Sequence, residues 1–133
     1  MANWTLSRGD WCHIDVISGD PERAKRFYGQ VFGWQFEDLP GTGYTNVRTS
    51  EDGIESGIGG VAQAVGALPP ATSGVVAFIL APDMDETLAA IERAGGEVVI
   101  PTTDVMGYGR FAHFRDPNGN VIGLWSDPPG DDM

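Results

Sequence analysis

A single cysteine in 133 residues excludes an internal disulfide, so no covalent cross-link holds this fold. Cys12 falls on the helix-facing side of the first strand and reads as a small buried hydrophobe. Basic residues are also scarce. Eight Lys and Arg against 19 Asp and Glu give a net charge of −11, which excludes the basic surface that nucleic-acid binding needs. That charge favours solubility and a cationic partner. No apolar run approaches the ~18 residues of a membrane span. The opening Met-Ala-Asn-Trp-Thr-Leu-Ser-Arg lacks the apolar centre of a secretory signal. A cytoplasmic protein without a membrane partner is therefore expected. There is no Cys-x-x-Cys pair and no nucleophile-elbow sequence. The glycines of 57–60 have neither the Lys nor the following helix of a phosphate loop.

The chain is organised around residues 13–36. Alternation over Trp11–Ile17 sets Cys12, Ile14 and Val16 on one face and Trp11, His13, Asp15 and Ile17 on the other. Asp20 is placed to cap a helix that Pro21 opens, since proline's missing donor is not needed there. Ala24, Phe27, Tyr28 and Val31 follow at i, i+3, i+4 and i+7, the stripe of a helix lying on a sheet. Gly33 ends the helix and Trp34–Phe36 resumes as strand. Residues 37–43 read as loop, 44–49 as a third strand, 50–53 as a turn and 54–61 as a fourth strand. The glycines in that last strand point to a bulge or to close approach by a ligand or partner.

The pattern then returns. At an offset of 63 residues His13 falls on Val76, Asp20 on Asp83, Tyr28 on Ile91 and Gly33 on Gly96. Residues 74–81 form an apolar strand. Asp83 and Glu86 have capping-box spacing, and Met84, Thr87, Leu88, Ile91 and Ala94 make a second helical stripe before Gly95-Gly96 and a strand at 97–100. Asp116-Pro-Asn-Gly-Asn120 is a turn between two alternating strands. Symmetric pairing across it sets Arg115 opposite Val121, His113 opposite Gly123 and Phe111 opposite Trp125, with Ala112, Phe114, Ile122 and Leu124 toward the helix. The expected fold is α+β: one domain of two tandem βαβββ modules, about 10–61 and 74–125, joined by a linker at 62–73 and followed by an acidic tail at 126–133. The modules are expected to form a curved, barrel-like sheet with a concave cavity.

The runs HIDV…DPERAKRFYGQVFGW and GGEVVIPTTDV…GYGRFAHFRDPNGNVIGLW, with the paired plan, resemble the vicinal oxygen chelate superfamily. That group includes glyoxalase I, extradiol dioxygenases and the fosfomycin- and bleomycin-resistance proteins, and the likeness is strongest to small bacterial glyoxalase-like proteins. It implies a fold rather than one reaction. In metal-using members four strand positions on the concave face hold a divalent ion. Carried over, they fall on His13, the glycines of 57–60, Val76 and Gly123, so His13 alone keeps a donor. No cofactor is expected. The alternative is one divalent metal held by His13 and His113 with Asp15 or Glu55.

On this reading His13, His113 and Asp15 are the candidate catalytic groups, because imidazole titrates near neutrality and an enclosed Asp15 serves as a base or a cation's partner. Trp11, Phe78, Phe111, Gly123 and Trp125 are candidate ligand contacts, joined by Ile17, Leu80 and Val121, with Tyr108 on a loop at the cavity mouth. A mostly apolar, aromatic hollow with few polar groups suits a small molecule. Three functions compete. The first is metal-independent binding of an aromatic or cationic molecule, as in the bleomycin-resistance proteins. The second is a lyase or dioxygenase of the glyoxalase type. The third is a module serving dimerisation or scaffolding. Sheet edges that need cover also predict a C2 homodimer, with 62–73 near its interface.

Overall fold

The computed structural model describes residues 6–41, 43–60, 73–105 and 107–128. Its elements are β1 (Trp11–Ser18), α1 (Pro21–Phe32), β2 (Gln35–Leu39), β3 (Tyr44–Arg48), β4 (Glu55–Gly60), β5 (Ser73–Leu80), α2 (Met84–Arg93), β6 (Glu97–Asp104), β7 (Arg110–Arg115) and β8 (Val121–Ser126). The class is α+β and the plan is two βαβββ modules. The chain divides into two compact units, one on His13–Val76 and the other on Leu6–Cys12 with the residues from Ala77 onward. Most of the expected linker, and the tail beyond Pro128, lie outside the described residues.

In unit one the strand order is β2-β3-β4-β1. β4 runs parallel to β1, setting His13 beside Glu55 and Asp15 beside Gly57, while β3 pairs antiparallel to β4 with Asn46 beside Gly57. One face of β3 and β4 is buried through Thr45, Val47, Ser56 and Ile58. Helix α1 starts as its sequence predicts. The Asp20 carboxylate accepts from Arg23 N at 3.1 Å, and Gly33 takes a left-handed φ of 73° that a β-carbon would disfavour.

Two expectations for this unit are corrected. Residues 37–39 are strand rather than loop, because Glu37, Asp38 and Leu39 pair with Asn46, Thr45 and Tyr44. The α1 stripe is only partly covered by the sheet: Ala24 and Tyr28 are half-buried, but no residue of α1 is buried, and Phe27 and Val31 are more than half exposed. The helix lies against β4, and its one glycine leaves room for a ring from β2, with Phe36 3.1 Å from the place of a Gly29 β-carbon. Tyr28 turns instead to stack on Trp34, with ring centroids 4.5 Å apart and planes within 8°.

In unit two the order is β5-β8-β7-β6. β8 runs parallel to β5, and the expected hairpin register of β7 and β8 is present at Arg115–Val121, His113–Gly123 and Phe111–Trp125. Its turn is tied by the Asp116 carboxylate, which accepts from the amides of Asn118 and Asn120 and from Asn120 Nδ2 at 2.9–3.0 Å. These bonds, that from Asn120 Nδ2 foremost, hold the Asp116 carboxyl below its ordinary value. Ala81, Met84, Leu88, Ala112 and Leu124 form the buried core, with Ile79, Ile91, Val98 and Phe114 packed against it. β6 reaches Asp104, further than alternation suggested, and carries register shifts against β7. Asp83 does not act as a side-chain cap. Its carboxylate is taken by Arg8 Nε at 2.9 and 3.0 Å and by the Thr87 hydroxyl at 3.2 Å, so the capping-box reading fails there. Cys12 is buried, as expected.

Candidate functional site

β1 is a regular strand, so His13 and Asp15 emerge on the same face. His13 Nε2 lies 2.7 Å from Asp15 Oδ1. A third group, absent from the sequence reading, completes the cluster. Tyr44, first residue of β3, reaches over β4 and donates its hydroxyl to Asp15 Oδ1 at 2.5 Å, while the same hydroxyl lies 2.7 Å from His13 Nε2. The reach is open because β4 has glycine at 57. A β-carbon there would coincide with the end of the Tyr44 ring. Glycine in a strand was a sign of close approach, and here the approaching group is a side chain of the same unit.

The hydrogen-bond directions follow from the distances. Two lone pairs repel at 2.7 Å, so the imidazole carries its proton on Nε2 and points it at the carboxylate. Asp15 Oδ1 therefore accepts twice, from Nε2–H and from the phenol. Among the described residues Asp15 Oδ2 has no donor. The side chains of His13 and Asp15 keep 16% and 18% of their surface, enough for a small group to reach them. Burial, then the charge of Asp15 and its hydrogen bond, then the charge of Glu55 push the Tyr44 phenol well above its ordinary value. It stays a neutral donor at any physiological pH. The chemical capacity is an anchored carboxylate with one open acceptor, flanked by an oriented imidazole and a protonated phenol.

Unit two holds the aromatic candidates. Phe78 sits beside Gly123, and a β-carbon at 123 would run into its ring. His113 is 4% exposed and meets the rings of Phe78 and Phe111 edge-on, each at a centroid distance of 5.4 Å. Trp125 is half-buried and its indole N–H donates to Asp127 at 3.0 Å. Trp11 and Tyr108 are exposed. The candidate residues are thus gathered into two groups: His13 and Asp15 with Tyr44, and His113 with Phe78, Phe111 and Gly123. Ile17, expected on the open face, is buried at 3% exposure.

Two hollows of unit one lie apart from this cluster, and neither is lined by His13, Asp15 or Tyr44. One, of about 460 Å³, is a groove beside Phe27, Tyr28, Arg23 and Val75. The other, of about 710 Å³, lies along Glu37, Asn46, Arg48, Glu51, Ile54 and Glu55. Among the described residues no group of three or more His, Cys, Asp or Glu comes together around one point. Val76, Gly57 and Gly123 supply no side-chain donor, and His13 Nε2 is turned into the Asp15–Tyr44 cluster. These residues do not fit the divalent ion of the metal-using relatives, and no chemical step is derived through one.

The model of the Glyoxalase/Bleomycin resistance protein/Dioxygenase superfamily matches residues 12–124. A putative glyoxylase, CFP32, of Mycobacterium tuberculosis (strain CDC 1551 / Oshkosh) is 30% identical over 120 residues, covering 84% of this chain and 43% of that protein. The anthracycline biosynthesis protein DnrV of Streptomyces peucetius is 26% identical over 126 residues, covering 84% of this chain and 45% of that one. The chain thus spans less than half the length of these two relatives. Among solved structures, methylmalonyl-CoA epimerase from Mycobacterium tuberculosis superposes with a TM-score of 0.66 at 14% identity, covering 97% of each chain. That likeness carries the fold alone. From the match across 12–124 and the two βαβββ modules, the chain belongs to the glyoxalase/bleomycin resistance protein/dioxygenase superfamily.

Proposed function

We propose that this protein binds a small aromatic molecule bearing an amine or ammonium group, without the complete metal site of its metal-using relatives, and that Asp15 is the charge partner. One observation carries the reading. The Asp15 carboxylate is held by two donors on Oδ1 and has none on Oδ2 among the described residues, so it offers one charged acceptor, which an ammonium N–H meets with opposite charge. Glu55 beside Tyr44 and the net charge of −11 add to the preference for a cation. The aromatic part is supported by a relative named for anthracycline biosynthesis, since anthracyclines are flat polycyclic aromatics. The compartment we assign is the cytoplasm; no described helix is long and apolar enough to cross a membrane. The second partner we assign is another copy of the chain, supported by the exposed Phe27, Val31 and Phe32 of α1. A sedimentation mass of one chain at micromolar concentration refutes the dimer.

Calorimetry with 2-naphthylmethylamine, 2-naphthylmethanol and an anthracycline tests the ligand class. The amine and the anthracycline should bind, the alcohol more weakly, and Asp15→Asn should erase the difference. Binding of glutathione-derived hemithioacetals alone overturns the reading and returns the protein to glyoxalase chemistry. A second reading, an enzyme of the lyase type, is favoured by the imidazole oriented on a carboxylate beside a protonated phenol. Turnover of hemithioacetals that is lost in His13→Ala supports it.

A further inference from the structure

We infer that Tyr44, seated on Gly57, is a positioning residue that gives the Asp15 site its preference for an amine over a neutral isostere. The inference rests on the reading of Asp15 as an amine acceptor. It starts from an equivalence between the modules. Register places Asp15 beside Gly57 in unit one and Phe78 beside Gly123 in unit two, the same positions of the repeat. In both, an aromatic ring occupies the space that a side chain on the last strand would need. Gly123, and the 57–60 stretch that holds Gly57, are where the family resemblance carries two of the metal-ligand positions. In unit two the ring is the Phe78 side chain itself, and it brings no polar atom. In unit one the ring comes from β3, and its hydroxyl ends on the Asp15 carboxylate.

That hydroxyl does two things. It shares Oδ1 with His13 Nε2–H, so Oδ1 is saturated and the carboxylate cannot rotate freely. The oxygen left for a ligand is Oδ2, which accepts and cannot donate while Asp15 is ionised. A ligand with N–H donors and positive charge satisfies it, whereas an alcohol offers one neutral donor. Burial and the neighbouring carboxylates keep the phenol protonated, so the anchor persists across the neutral range. Without the hydroxyl, His13 alone holds Oδ1 and the carboxylate is free to turn about that one bond. Hydrogen bonds to charged groups are worth about one factor of ten or more, which sets the expected loss.

The test compares 2-naphthylmethylamine with 2-naphthylmethanol on the parent, Tyr44→Phe and Gly57→Ala. Tyr44→Phe keeps the ring on Gly57 and removes only the hydroxyl, so the fold is retained. The parent should prefer the amine, and Tyr44→Phe should lower that preference about tenfold while leaving alcohol affinity unchanged. Gly57→Ala should do the same by unseating the ring. If the parent prefers the amine and both variants keep the preference, the inference is overturned and the reading of Asp15 stands. Equal loss of both probes assigns Tyr44 a merely structural role and also overturns it. No preference in the parent overturns the reading and the inference together.

Discussion

Gly123→Ala tests whether the ring–glycine pairs govern this fold. The added β-carbon would sit inside contact distance of three atoms of the Phe78 ring, with Cγ at 2.7 Å. Phe78 is 3% exposed, so it has no solvent to swing into. Overpacking of this kind costs ~1–3 kcal/mol. Against it, alanine in place of glycine in a strand gains ~0.5–1 kcal/mol, since φ at 123 is not left-handed and alanine suits it. Repulsion wins, and the net loss is ~1–2 kcal/mol, a fall of roughly 4–7 °C in melting temperature for a chain of this size. Phe78→Ala alone removes a buried ring and should cost ~3–5 kcal/mol. In that background the clash is gone, so Gly123→Ala should become neutral or slightly stabilising. The double-mutant cycle then shows ~1–3 kcal/mol of coupling. Urea and thermal unfolding of the four proteins measures it. Additive effects, or a Gly123→Ala protein as stable as the parent, would refute a ring–glycine coupling.

Three further outcomes are expected. Asp116 has a folded pKa below its unfolded value, so its contribution to stability is present above the ordinary carboxyl range and lost as pH falls through the folded value. Urea midpoints at about pH 7 and about pH 3 should therefore differ less in Asp116→Asn than in the parent; an unchanged acid sensitivity counts against the turn's role. Asp20→Ala should cost ~1 kcal/mol through loss of the α1 cap, with Asp20→Ser nearly neutral, as read by circular dichroism melting. Protein mixed with zinc, nickel or iron and then desalted should carry well under one ion per chain, and chelator should leave its melting temperature unchanged. One tightly held ion that is lost in His13→Ala defeats that expectation.

The hairpin of β7 and β8 was legible because an Asp-Pro-Asn-Gly-Asn turn joins two alternating strands and thereby fixes every pair from Phe111–Trp125 to Arg115–Val121. The two modules were legible because an aspartate before each helix, an apolar stripe along it and a glycine after it recur at one spacing in the sequence. The α1 contact was not. Its stripe has the right period, but a stripe says which residues share a face and not what covers them. Asp83 illustrates a competition that spacing does not reveal: Arg8, 75 positions away, takes the carboxylate that a capping box would use. Tyr44 was missed for a similar reason. Its partners are 29 and 31 positions away, and it meets them only because β4 stands between β3 and β1 with a glycine at the crossing. Strand order supplied that fact. The useful signal was Gly57, which marks where another group comes close.

The lone buried thiol at Cys12 gives the molecule a built-in clock. A reagent that alkylates or disulfide-exchanges with cysteine can act only when the first residues of β1 open, and with one such side chain in the sequence every event is assigned without mapping. In rising urea, a labelling rate that climbs from the lowest concentrations would show that this strand end frays on its own. A rate that stays flat until the main transition would show that it opens only with the whole chain. The strand that carries His13 and Asp15 can therefore be timed in the unmodified protein, with no dye and no engineered residue.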